Sequence, residues 1–239
     1  MVNGRSISII IPTLNEEHVL GELIDALQTQ SKNLEIIVVD GGSSDGTLAL
    51  VSEQPNVIVK ESAPGRAIQM NLGAKHANGN TFAFVHADTK ISKDFVQILS
   101  QISENKWGYF KVALSGRKLV YRVIASMMNI RSRMTSVITG DMVLVICEDL
   151  FSEVNGFPAI PIMEDVEISK RLRRHYKPEQ LNSTVTTSSR RWDTNGVYKT
   201  IFLMWRLRLE YFLGVNPSQL VKRYERGQGI NDRQSQRPF

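Results

Sequence analysis

Three places in this sequence gather residue types that bind phosphate, metal or sugar. Asp40-Gly41-Gly42-Ser43-Ser44-Asp45-Gly46-Thr47 follows a run of β-branched residues. Its glycines let backbone approach a ligand, and the Asp40 carboxylate can accept hydrogen bonds from a base or ribose. The blander alternative is a glycine-rich turn with an Asp helix cap. His86-Ala87-Asp88-Thr89 follows a second short apolar run. A carboxylate there can cap a helix, or it can hold a divalent ion against a diphosphate, because Mg²⁺ and Mn²⁺ prefer oxygen ligands. His86 is a candidate second ligand. Glu164-Asp165-Val166-Glu167 opens a helical pattern after Pro158 and Pro161. The helix macrodipole alone favours acids in a first turn. The functional reading is a general base for a hydroxyl nucleophile. Arg66, after Pro64-Gly65, and Arg190-Arg191-Trp192 add guanidinium forks that match phosphate oxygens, and an indole that can pack against a sugar face. Taken singly, each is as easily a surface charge or a packing residue.

These groups need a scaffold, and the first half of the chain supplies an alternating one. Apolar and β-branched runs predict strands over residues 6–11, 35–40, 57–60 and 81–86. Helical spacing predicts helices over 16–30, 45–52 and 66–77. Alternation at this spacing argues for βαβ units and a mainly parallel sheet with helices on both faces. Ligands bind such sheets at the carboxyl ends of the strands, where Thr13–Asn15, Asp40–Ser44 and His86–Asp88 fall. The second half is less regular. It predicts a basic amphipathic helix over 119–134, a strand over 142–147, a helix over 164–174, and a strongly apolar helix within 196–224 followed by a polar tail. No linker is evident. The expected organisation is one domain over residues 1–195 and a C-terminal extension over 196–239.

The chain has 239 residues, with 29 basic against 24 acidic, a net charge of +5. A chain of this length buries enough apolar surface to fold without disulfides, and its single cysteine allows no internal one. The composition excludes a disulfide-rich secreted module, a collagen-like chain and a disordered tail. No signal peptide and no uncharged run of membrane-spanning length are read from it. The expected location is cytoplasmic, with peripheral contact at the inner face of the membrane as an option. The stretch 115–140 holds Arg117, Lys118, Arg122, Arg131 and Arg133 and no acid. Such a zone attracts phosphate or anionic lipid. The dinucleotide fingerprint and the Gly-Lys-Ser/Thr phosphate loop are both absent.

Taken together, the motifs resemble the family 2 glycosyltransferases of the GT-A type. The matching residues are Ile9 to Glu17, Ile37 to Thr47, Gly65 to Asn71, His86 to Thr89, Asn155-Gly156-Phe157 and Met163 to Glu167. They span about residues 5–195. The resemblance is narrowest to small bacterial transferases associated with selenium or arsenosugar chemistry. It implies a GT-A fold, a Rossmann-like mixed sheet flanked by helices, and inverting transfer of a sugar from a nucleotide sugar, often UDP-linked, to a hydroxyl or phosphate acceptor. Carried onto this chain, Pro12, Thr13, Glu16, Asp40, Arg66, Gln69, Asp88, Arg191 and Trp192 hold the donor. Asp88, with His86, holds Mn²⁺ or Mg²⁺. Asp165 is the base, with Glu164 as the competing choice. Two departures stand out. His86 occupies the first place of the family's Asp-x-Asp, and Ser188 occupies a glutamine place before Arg191-Trp192, so processivity is not expected.

Two other readings compete. The apolar helix within residues 197–215 suits burial against the domain, a homodimer contact or a lipid interface, so a nucleotide-binding module at a membrane surface without transfer activity is one alternative. A nucleotidyltransferase is the other. No nucleic-acid partner is expected, since no such motif is present.

Overall fold

The computed structural model describes residues 6–32, 34–103 and 106–227. Its strands are β1 (Ile7–Thr13), β2 (Glu35–Asp40), β3 (Val57–Glu61), β4 (Thr81–Phe84), β5 (Trp107–Leu114), β6 (Leu144–Cys147) and β7 (Glu179–Thr187). Its helices are α1 (Leu20–Gln30), α2 (Thr47–Ser52), α3 (Arg66–His76), α4 (Phe95–Leu99), α5 (Leu119–Thr135), α6 (Glu148–Glu153), α7 (Glu164–Leu172), α8 (Arg190–Asn195), α9 (Val197–Phe212) and α10 (Pro217–Gly227). A 3₁₀ turn over Gly140–Met142 precedes β6.

The strands form one sheet in the order β3-β2-β1-β4-β6-β5-β7. Every pairing is parallel except those of β6, which runs antiparallel to both β4 and β5. β1 is buried along its whole length, as a strand covered on both faces must be. Its side chains alternate between the two cores: Ile9 and Ile11 join Leu20, Ile24 and Leu27 of α1 on one face, and Ile10 meets Ala67 and Met70 of α3 on the other. The chain order reverses between β1 and β4, which opens a crevice beyond their carboxyl ends.

The predicted strands and helices of the first half are present, with shifted edges. α1 starts at Leu20, not Glu16, because the backbone amides of Glu16 and Glu17 are engaged by Thr47 Oγ1 and Asp45 Oδ2. β5 and β7 had no clear sequence signal. β7 is polar and alternates buried with exposed residues at the sheet edge. The predicted single apolar helix near the C-terminus is two helices, broken at Gly214, whose φ of 85° is left-handed, and restarted by Pro217. α9 and α10 pack through Leu207, Leu220 and Tyr224 onto Met163 and Val166 at the start of α7. The end of the predicted basic tail, residues 228–239, lies outside the described residues.

α3 lies against β1 and β2 at a glycine. A Cβ on Gly73 would stand 2.4 Å from Ile10 Cγ2 and 3.2 Å from Val39 Cγ2. Gly73→Ala is therefore expected to lower unfolding stability by about 1–3 kcal/mol, the usual cost of overpacking. Urea denaturation checks this; unchanged stability would mean that α3 can move off the sheet freely.

Candidate active site

The floor of the crevice is fastened before any ligand arrives. Gln69 Nε2 donates to the carbonyls of Thr13 and Val39, both at 2.8 Å, and joins the ends of β1 and β2 to α3. A Cβ on Gly41 would lie 3.1 Å from that amide, so only a small residue lets the strands and Gln69 come so close. Asp40 is fully buried. Its Oδ2 accepts from the amides of Gly42 and Ser43 at 2.8 and 2.7 Å, and its Oδ1 accepts from the Ser43 hydroxyl. Pro12, Thr13, Asp40 and Gln69 are thus all buried and shape the floor from below. The neighbouring loops lock each other: Asn15 N donates to Ser43 Oγ, and Ser44 N donates to Asn15 Oδ1, each at 2.8 Å. Asn15 sits at φ 55°, a conformation that Asn tolerates better than most residues.

Arg66 stands at the first position of α3, where the helix dipole opposes a cation. Burial also opposes its charge, but Glu164, Tyr224, Asp141 and Asp165 outweigh both and raise its pKa. Around it stand the other predicted groups. Glu16 has a raised pKa, because burial outweighs the pull of Arg190, whose Nη2 lies 3.6 Å away. Asp88 contributes to that rise. His86 is pushed towards its neutral form by burial and then by Arg66, against the pull of Asp141, Asp88 and Asp165.

Glu164 and Asp165 open α7 immediately after Met163, whose φ of 69° is strained for a non-glycine residue. Glu164 is 7% exposed. Burial and then Asp165 push its pKa up to about 7, against Arg66. Asp165 caps its own helix, its Oδ1 accepting from Val166 N at 2.7 Å, and remains partly open. The two carboxyls therefore divide: burial favours a proton on Glu164, and Asp165 stays partly open to a ligand.

One acid escaped the sequence reading. Asp141, in the 3₁₀ turn before β6, lies 3.8 Å from His86 Nδ1. Burial would raise its pKa, but His86, Arg191 and Arg66 hold it below the ordinary value. The rule that ligands gather at strand carboxyl ends does not point to it. β6 is antiparallel, so its amino end lies at the same edge as the carboxyl ends of β1 and β4. In the structure Val143, at φ 54°, is a strained β-branched residue two positions after Asp141.

The late Arg190-Arg191-Trp192 segment opens α8. Asp193 anchors that helix: it accepts from Lys118 Nζ at 2.7 Å, from Tyr121 and from Ser189, which brings its pKa down to about 2. Arg191 thereby faces Asp141 and lies 5.8 Å from the Tyr224 ring. Trp192 packs with Tyr121, Ile124 and Ile201. Beyond them a cleft of about 390 Å³ runs between α5 and α9.

No group of three or more His, Cys, Asp or Glu that could hold a metal occurs among the described residues. Asp88 and a neutral His86 remain as donors. That set fits an ion whose other ligands are water and phosphate oxygens, the usual habit of Mg²⁺ beside a diphosphate.

The chain is similar to known glycosyltransferases. Residues 8–108 match the family model described as Glycosyl transferase family 2. Glycosyltransferase GlyA of Streptococcus pneumoniae is 31% identical over 105 residues, which cover 41% of this chain and 15% of that protein. The chain spans less than a third of the length of curated relatives that it matches in sequence. Among solved structures it is similar to mannosyltransferase PcManGT of Pyrobaculum calidifontis, in complex with GDP-Man and Mn²⁺, at a TM-score of 0.62 and 20% identity, over 85% of this chain and 60% of that one. It is also similar to glucosyl-3-phosphoglycerate synthase of Mycobacterium tuberculosis, in complex with Mn²⁺, UDP and glucosyl-3-phosphoglycerate, at a TM-score of 0.58 and 20% identity, over 96% and 82%. The fold is GT-A, and residues 8–108 of the chain match the family 2 glycosyl transferase model on it.

A carboxyl whose pKa rises on folding binds its proton more tightly in the folded state. Glu164 thus stabilises the fold fully below its unfolded value of 4.5 and loses that contribution as pH rises towards about 7. The stability of Glu164→Gln minus that of the native protein is expected to increase by up to about 3 kcal/mol over that window. Denaturant unfolding at a series of pH values reads it. A flat or falling difference would place an ionised Glu164 in the site.

Proposed function

We propose that the protein is an inverting glycosyltransferase that moves a sugar from a nucleoside diphosphate sugar, UDP-linked in our reading, to an acceptor oxygen. The observation that carries this is the convergence of Glu16, Arg66, Asp88, Asp141, Glu164 and Asp165 on one edge of a GT-A sheet. In this reading the nucleoside lies over the floor built by Pro12, Thr13, Asp40 and Gln69, beside Glu16. Arg66 and Arg191 face the diphosphate. Asp88 with His86 would hold Mn²⁺ or Mg²⁺, which would neutralise charge developing on the leaving diphosphate. Asp165, the more open carboxylate, takes the acceptor proton. Glu164, with its pKa raised to about 7, is in part protonated near neutral pH and in that form can donate a hydrogen bond to the sugar. Arg66 does not need a metal to attract phosphate. The narrower likeness to selenium- or arsenosugar-associated transferases rests on the His86–Thr89 and Arg190–Trp192 segments.

The reading is tested by screening nucleotide sugars for transfer and hydrolysis with and without Mn²⁺. Removing the Asp88 carboxylate is expected to abolish the metal-dependent part of the activity while thermal stability holds. Full turnover in excess chelator would contradict the metal assignment. Asp165→Asn is expected to cut turnover on a hydroxyl acceptor roughly 10²–10⁴-fold, the range of general-base catalysis, with donor affinity almost unchanged. Equal loss of both would make Asp165 a donor ligand.

A further inference from the structure

The cleft between α5 and α9 is continuous with the site through Thr139, Asp141 and Arg191, which line its polar end. Its walls are apolar: Ile124, Met127, Met128, Ile201, Met204 and Trp205. Two further arginines, Arg131 and Arg208, line it as well, and they carry no acidic partner at ion-pair distance among the described residues. Among the described residues Arg131 donates only to two hydroxyls, Ser132 at 3.1 Å and Thr139 at 3.4 Å, and its buried Nε has no hydrogen-bond partner there. Leaving a charged donor buried and unpaired is costly. Both arginines line the cleft together with Asp141 and lie within electrostatic reach of Asp165.

The rims of the cleft are apolar and exposed. On α5 they are Leu119, Val123, Met127, Ile130 and Met134, at helical spacing along one face. On α9 they are Tyr198, Phe202, Trp205, Leu209 and Phe212, a single stripe at alternating steps of four and three. A sugar or a small soluble acid needs no such rims. The α5 stretch also carries Arg117, Lys118, Arg122 and Arg133 without an acid between residues 115 and 140. Basic and aromatic-aliphatic surface together suits an anionic lipid layer.

We infer that this cleft is the acceptor site, and that the acceptor is an anionic lipid whose head group carries a hydroxyl. The anionic group sits between Arg131 and Arg208, the acyl chains lie between α5 and α9, and the hydroxyl faces Asp165. This rests on the glycosyltransferase reading and names its acceptor. In the step, Asp165 takes the hydroxyl proton and the acceptor oxygen bonds to the anomeric carbon. The bond from that carbon to the diphosphate breaks, and its electron pair leaves with the nucleoside diphosphate.

The test uses phosphatidylglycerol, which has both a phosphate and free hydroxyls. Vesicle co-sedimentation without donor compares phosphatidylglycerol in phosphatidylcholine with phosphatidylcholine alone. Transfer assays add the donor found by the screen above, with sn-glycerol 3-phosphate as the soluble counterpart. Binding to the anionic vesicles is expected, with transfer to lipid and little to the soluble phosphate. Arg131→Gln and Arg208→Gln are each expected to weaken both by about tenfold or more, the scale of a lost charged hydrogen bond. Met204→Glu, which charges the wall without touching the arginines, should do the same, with donor affinity by calorimetry unchanged in all three. Preference for the soluble phosphate would overturn the lipid assignment, and so would unaltered behaviour of the arginine variants. So would a dimer in sedimentation that Phe202→Glu dissolves while lipid binding is absent. Vesicle binding in a protein that binds no nucleotide sugar would retain the lipid site and discard the transferase reading.

Discussion

A guanidinium at the wrong end of a helix is what the rest of the crevice depends on. Arg66 opens α3, where the exposed backbone amides already carry positive potential. Carboxylates from three other segments surround it and offset the cost of burying its charge. Glu16 comes from the end of β1, Asp141 from the turn before β6, and Glu164 and Asp165 from the start of α7. Each acid in turn is tolerated so near the others because Arg66 is there. Glu164 shows the balance at its limit: burial and Asp165 together outweigh the guanidinium, and the carboxyl takes up a proton near neutrality. An incoming diphosphate would meet an arginine that is already partly desolvated, which lowers the reorganisation that electrostatic catalysis must avoid.

The structural fastenings serve that arrangement. Gln69, three residues into α3, holds the helix to the carbonyls of Thr13 and Val39 and so fixes where Arg66 begins. Asn71 ties the same helix to Phe157, by reciprocal bonds of 2.8 and 2.9 Å, and so steadies the loop that leads to α7. Ser169 of α7 accepts from the amide of Ile138 at 3.0 Å, just before Asp141. At the far side, Tyr224 of α10 closes over Arg66 and Arg191. The C-terminal helices are therefore part of the site's wall.

Much of this was legible in the sequence. The runs 7–11 and 35–40, the glycines after Asp40 and the Pro-Gly before Arg66 mark a parallel sheet with polar strand ends, because burial on both faces leaves a nearly unbroken apolar signal. The roles within the site were less legible. Asp40 reads as a ligand for ribose, yet its oxygens are occupied by its own loop, a local choice that depends on where Ser43 falls in three dimensions. Asp141 was missed because strand direction cannot be read from a four-residue run, and an antiparallel β6 brings its amino end to the active edge. Arg131 was read only as one member of a basic zone that attracts phosphate or anionic lipid, and Arg208 was given no role. Only the packing of α5 against α9, 77 positions apart in number, shows that they share a cleft.

The central claim is that Arg66 is held charged in order to receive a diphosphate. Calorimetric titration of UDP and GDP with Mn²⁺ into the native protein and Arg66→Met tests it most directly, with uridine and guanosine as controls. A loss of about 2 kcal/mol for the diphosphate that the protein binds, and almost none for its nucleoside, is the expected result. Equal diphosphate affinity in the two proteins would contradict it, and would leave Arg66 as a structural counter-ion for Glu164 alone.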